Sequence, residues 1–190
     1  MATEMFDKEK LTKICITIFV IATVFWAGGS MIRNIMAFDL FVPATELSLK
    51  NYYSNEIRLH AIHLYSVGSV YTGTSFGVAL CASIALFLLL RKNLKSNGWL
   101  FMAFMLFFIV SIVELYTTYL DIMLGAAISN GEIYSFSSEP IKDYFLFRYY
   151  KLGILEPMKY LGVITIIILV VWKPLSKKTT DFVKQNNEIE

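Results

Sequence analysis

The chain has few of the residues from which catalytic and metal sites are usually built. Of its 190 residues only two are histidine and two are cysteine. Cys15 and Cys81 stand far apart and no C-x-x-C pair occurs. That spacing excludes a dithiol redox centre and a structural zinc site built on cysteine. Both thiols read as small apolar packing groups. There is no G-x-S-x-G, no Walker-type glycine loop, no H-E-x-x-H and no paired acidic metal motif. Charge is scarce too: Asp, Glu, Lys and Arg make up 17% of the chain and the net charge is +2. The basic residues form no stripe interleaved with aromatics, so a nucleic-acid partner is excluded.

Hydrophobic residues fill that space, at 56% of the sequence, with a mean hydropathy of +0.58. They fall into four stretches poor in charge, roughly Ile14–Ile32, Leu64–Leu90, Trp99–Val113 and Leu152–Trp172. A hydrocarbon core about 30 Å thick takes about 20 helical residues to cross, and only helices or closed barrels satisfy their backbone inside it. The sequence therefore predicts an all-α integral membrane protein, a four-helix bundle. Its transmembrane domain covers 1–175, with helices about 12–35, 60–91, 98–122 and 152–173, and a polar tail follows over 176–190. The first apolar run, of about 18 residues, exceeds a signal-peptide core and lacks a clear small-residue cleavage site, so it reads as a retained helix.

Lysine and arginine set the orientation. Lys8, Lys10 and Lys13 precede the first helix, Arg91, Lys92 and Lys95 fill the second connection, and Lys173, Lys177, Lys178 and Lys184 follow the last helix. Short loops rich in Lys and Arg stay cytoplasmic, which predicts both termini and the tail there. The longer connections, roughly Met36–Arg58 and Gly125–Lys151, then lie outside. Within the latter, IKDYFLFRYYKLG either lies along the outer interface or begins the fourth helix early. With no other targeting signal, the plasma (inner) membrane is the expected location.

Ser69, Gly73, Gly77, Cys81 and Ala85 recur every fourth residue on the second helix. In lipid a small-residue ridge lets two backbones meet, which is one of the few sources of packing energy there. The ridge packs either against helix one, whose Thr23, Ala27, Gly28, Gly29 and Ser30 are small, or against another copy. The inner half of helix three, WLFMAFMLFFIV, is bulky and reads as lipid-facing.

Polar residues gather at one level. Counting about 1.5 Å per residue from the cytoplasmic ends puts Arg33 about 30 Å, Glu114 about 22 Å and Glu156 about 25 Å across. Asp121 continues the stripe of Glu114, and Lys159 lies one turn from Glu156. Ionisable groups at such depth must pair or hydrate, so Arg33, Glu114, Asp121, Glu156 and Lys159 are expected to face one another. One reading is purely structural, with Arg33 pairing Glu114 and Lys159 pairing Glu156. The other is an outward-facing ligand site. His60 and His63, three apart, are metal candidates together with carboxylates of neighbouring helices. Both sit on one short segment, so a haem held by two histidines is not expected within one chain. No particular cofactor is implied.

Two functions follow as expectations. The first is a non-catalytic subunit or interaction partner of a larger membrane assembly, its partners being the bilayer and other membrane subunits or itself. The alternative is a membrane transporter or enzyme with a metal or small-molecule site in the outer third of the bundle.

Overall fold

The structure, a computed structural model, describes residues 2–174. The tail expected over 176–190 lies outside the described residues. These are all-helical: α1 spans Ala2–Phe38, α2 Asn55–Leu94 and α3 Gly98–Ser129, followed by a π-helical turn Ile141–Leu146, α4 Phe147–Lys151 and α5 Leu155–Trp172. Four segments are long and apolar enough to cross a membrane: Asp7–Phe38, Asn55–Leu94, Gly98–Ser129 and Leu155–Trp172.

The helix ends follow local chemistry. Ser54 caps α2, its hydroxyl accepting from the Ile57 N–H, with Glu56 in the first turn and Arg91 and Lys92 in the last. These charges complement the helix dipole at both ends. Only three residues separate α2 from α3, which makes the two antiparallel neighbours. α1 packs along α2 more extensively than any other helix pair, and α5 packs on α3. The helices overrun most of the boundaries read from hydropathy because helical turns continue past the apolar core into polar sequence.

The fourth crossing is built differently from the other three. α5 has 18 residues, a rise of about 27 Å, and is preceded by a separate helical segment. That segment is not continuous with the last helix. Ile141, Phe145, Arg148 and Tyr149 are buried, and all of these but Arg148 pack with Ala37, Leu40, Phe41, Ile62, Tyr65, Leu124 and Phe136 in the larger apolar cluster. The π-turn and α4 thus plug one end of the bundle, which we call the outer end. The break between α4 and α5 is open only to glycine at position 153, where any Cβ would run into the Tyr149 carbonyl oxygen. Pro157, in the first turn of α5, has no N–H to leave unpaired there.

At the other, inner end the helices pack mainly through apolar side chains. Trp26, Phe76 and Val110 form a small central cluster, and Phe87, Phe104 and Phe108 meet edge to face or stacked further in. This corrects the reading of helix three: Ala103, Phe104, Phe107 and Val110 are buried, and only the face carrying Phe101, Met102, Met105 and Ile109 is exposed.

The candidate polar network

The close approach of α1 and α2 occurs beside Arg33. A Cβ at Gly29 would stand 2.7 Å from Thr72 Cγ2, and one at Gly68 would stand 3.1 Å from Arg33 Cγ. The two glycines let the guanidinium stem lie between the helices. The ridge of Ser69, Gly73, Gly77, Cys81 and Ala85 does not supply this contact. Ser69 is buried, but Gly73 meets Thr118 of α3 at 3.4 Å and Gly77 has nothing within 4 Å of where a Cβ would be. Cys81 is exposed and Ala85 only half-buried. The ridge lies one step around α2 from the face that meets α1.

Arg33, Glu114, Asp121, Glu156 and Lys159 come together, and Arg148 joins them. All six are at most 5% exposed. Arg33 Nη2 donates to Asp121 Oδ2 at 2.6 Å, and Arg148 Nη1 donates to the same oxygen at 2.6 Å. Arg148 also grips Glu156 Oε1 through Nη2 at 2.7 Å and Nε at 3.1 Å. Lys159 Nζ lies 3.1 Å from Glu156 Oε2 and donates to Glu114 Oε2. Three cations and three anions therefore form one unbroken chain, Arg33–Asp121–Arg148–Glu156–Lys159–Glu114, that crosses α1, α3, α4 and α5. The expected pair Glu156–Lys159 is present, whereas Arg33 pairs Asp121 instead of Glu114. Asp121 lies two helical turns further along the face of α3 that carries Glu114, level with Arg33, and Glu114 is left to Lys159.

Neutral groups occupy the remaining valences. Trp26 Nε1 donates to Glu114 Oε1 at 2.7 Å, and Tyr65 Oη donates to Asp121 Oδ1 at 3.1 Å. Arg33 Nη1 donates to Thr72 Oγ1 at 2.8 Å, with its guanidinium carbon 4.2 Å from the centre of the Tyr65 ring. Asn34 Nδ2 donates to Glu156 Oε2 at 3.2 Å, while its Oδ1 accepts from Tyr149 Oη at 2.9 Å. Within the network Ser30 Oγ and Arg33 Nε are buried with no partner among the described residues. Buried charges are tolerated when each is paired and hydrogen-bonded, and this arrangement comes close to that state throughout.

The network leaves the histidines outside. His60 and His63 are exposed on α2, and Glu114, Asp121 and Glu156, the carboxylates of the neighbouring helices, are held by cations. Among the described residues no group of three or more His, Cys, Asp and Glu side chains forms a metal set. His63 instead lies at the rim of a cleft of about 570 Å³ between the outer halves of α2 and α3, with Ser66, Gly73, Thr118, Asp121 and Gly125 in its walls.

Arg148 is the residue the sequence reading passed over. Its signal is an arginine flanked on both sides by apolar and aromatic residues in YFLFRYYKL, a setting that requires a buried anion. Trp26 and Tyr65 gave no comparable signal, because an aromatic ring in an apolar run reads as packing until a buried carboxylate is placed beside its N–H or O–H.

Searches for similar proteins give no further bearing: no family model, no curated protein and no solved structure matches the chain.

Proposed function

We propose that this protein is a non-catalytic membrane component, a subunit or docking partner within a larger assembly of the plasma membrane, with both termini cytoplasmic and the plugged end outside. The observation that carries this reading is the closed network. Each of the six buried charges is engaged by an opposite one, which leaves no buried acid or base free to exchange a proton with a substrate. Such a network specifies a rigid bundle. The partly uncovered ridge at Gly77 and Cys81 then supplies a face on which another membrane helix can pack closely. The orientation rests on Arg91, Lys92 and Lys95 in the acid-free second connection, with Lys8, Lys10, Lys13 and Lys173 at the same end.

The test is native mass spectrometry after mild extraction from the native membrane, with elemental analysis of the same sample. A defined oligomer or a stoichiometric protein partner is the expected result, and a metal-free monomer without partner would overturn the reading. Orientation is checked separately by labelling single cysteines placed at Lys95 and at Glu46 in intact cells. Glu46 is expected to label and Lys95 to stay protected.

A second reading, an outward-facing small-molecule site, draws on the α2–α3 cleft. Asp121 reaches both the network and the wall of that cleft, so a ligand there would act directly on Arg33 and Arg148. Under this reading Asp121→Asn abolishes ligand binding while the fold survives. A bound metal or small molecule in the extracted protein would favour it over the first.

A further inference from the structure

The inner half of the bundle does not close. Between the inner ends of α1, α2, α3 and α5 lies a cleft of about 460 Å³, walled by Phe19, Leu86, Ala103, Phe107, Ile166 and Val170. All four crossings contribute to it and its walls are almost wholly apolar. Such a space is a poor site for water, which needs two to four polar partners. Left empty, it would forfeit the dispersion contacts of every side chain around it. A hydrocarbon chain satisfies the walls.

The rim selects what that chain is attached to. Asn93, Asn97 and Trp99 stand at the inner margin of the cleft. Arg91, Lys92 and Lys95 lie exposed within five residues of one another, and the connection holds no acid. Lys173, just beyond α5, brings its Nζ to 5.9 Å from the Trp99 ring. Of the acids on the N-terminal turns of α1, Glu9 is held by Lys13 at 2.8 Å. An apolar slot between helices, with four cations on the chain segments just beyond its inner margin, matches a lipid that has a hydrocarbon tail and a negatively charged head.

We propose that the cleft binds one acyl chain of an anionic phospholipid, its phosphate met by the exposed side chains of Arg91, Lys92, Lys95 and Lys173 that follow the cleft's inner margin. The lipid completes the inner half of the bundle, where the protein's own side chains leave the helices apart. The assignment of this end to the cytoplasmic leaflet rests on the orientation proposed above. The binding chemistry does not.

The experiment uses full-length protein, stripped of lipid in detergent and reconstituted into symmetric vesicles of phosphatidylglycerol or phosphatidylcholine, then released and weighed by native mass spectrometry. One phosphatidylglycerol per chain is expected to survive release, with retention roughly tenfold above phosphatidylcholine. Ala103→Phe, which fills the slot, should abolish retention. Ile166→Phe, from the opposite wall, provides the same test should the first variant not fold. Arg91→Gln, Lys92→Gln and Lys95→Gln together should leave a chain bound but erase the preference for phosphatidylglycerol. Equal retention of both lipids by the unaltered protein, retention unchanged by the slot-filling variants, or a lipid-free dimer in their place would each overturn the proposal. Because both leaflets of these vesicles are alike, an inverted orientation would not disturb the outcome, and the labelling experiment reports that failure separately.

Discussion

The two halves of this bundle solve the same packing problem in opposite ways. In the outer half a plug of π-turn and short helix fills the axis, and six charges with their aromatic and amide neighbours tie all five helices together. In the inner half no charge is buried among the described residues, the buried contacts are mainly between hydrocarbon groups, and a cleft remains among all four long helices. The contrast follows from the solvent. Apolar side chains gain little by leaving lipid for one another, so apolar packing alone draws membrane helices together only weakly. A paired charge, by contrast, has nowhere better to go. The outer half therefore dictates the helix positions and the inner half conforms to them, with hydrocarbon left to fill what does not meet.

The largest effect expected from that contrast is at Arg148. It holds both Asp121 and Glu156, so Arg148→Ala leaves two carboxylates short of a partner and should cost about 3–5 kcal/mol of stability. Thermal unfolding in detergent reads it. A loss no larger than that of a typical inner-half truncation such as Leu88→Ala, at an exposed site, would break the comparison. Arg33 then reports on the wiring. Arg33→Ala should be rescued in part by Asp121→Asn and not by Glu114→Gln, because Asp121 is the anion it faces. The reverse order of rescue would show that the chain of charges runs otherwise.

How much of this was legible beforehand divides along the same line. The four crossings, and the meeting of Arg33, Glu114, Asp121, Glu156 and Lys159, follow from hydropathy and from counting depth. Both rest on quantities local to each helix. What one helix could not reveal was rotation and pairing. Pairing Arg33, about 30 Å across, with Glu114, about 22 Å across, overlooks the two turns of α3 that bring Asp121 level with Arg33. Arg148 was assigned to a connection because a broken helix carries no hydropathy signature of its own. The ridge of Ser69, Gly73 and Gly77 was read from spacing alone, and spacing does not say which neighbour a face meets. The glycines that do bring α1 and α2 together, Gly29 and Gly68, lie in no repeat at all.

Glycine substitutions give the next, smaller effect. At Gly162 a Cβ would stand 2.7 Å from Val110 Cγ2, on the seam where α5 meets α3 just inside the network. Both residues are buried, so Gly162→Ala should cost about 1–3 kcal/mol by forcing the helices apart. At Gly77 a Cβ meets nothing within 4 Å, and Gly77→Ala should instead gain up to about 1 kcal/mol from helix propensity. Opposite signs in the purified monomer, read by thermal unfolding, are expected. A loss at Gly77 that appears only when a partner is present would mark the ridge as the docking face.

The smallest effect lies at the margin of the outer half, in the connection between α1 and α2. There Lys50 donates to Asp39 at 2.6 Å and Tyr53 at 2.7 Å, holding the Asp39 carboxyl below its ordinary range, with Lys50 the larger cause. The same contact raises Lys50, and Asp39 likewise raises the Tyr53 hydroxyl. Asp39 therefore contributes stability that is present above its unfolded value of about 3.9 and is lost as pH falls through the lower folded one. Lys50 and Tyr53 contribute below their unfolded values of about 10.4 and 10 and lose it as pH rises through the folded ones. The result is a plateau between the acid and alkaline limits with a shallow decline on each flank. Asp39→Asn should remove the part of both flanks that this triad supplies and barely lower the plateau, since its carboxylate is 59% exposed and water screens such pairs. A drop at neutral pH comparable to that of Arg148→Ala would mean that the outer half is held from its rim, and not by the charges beneath the plug.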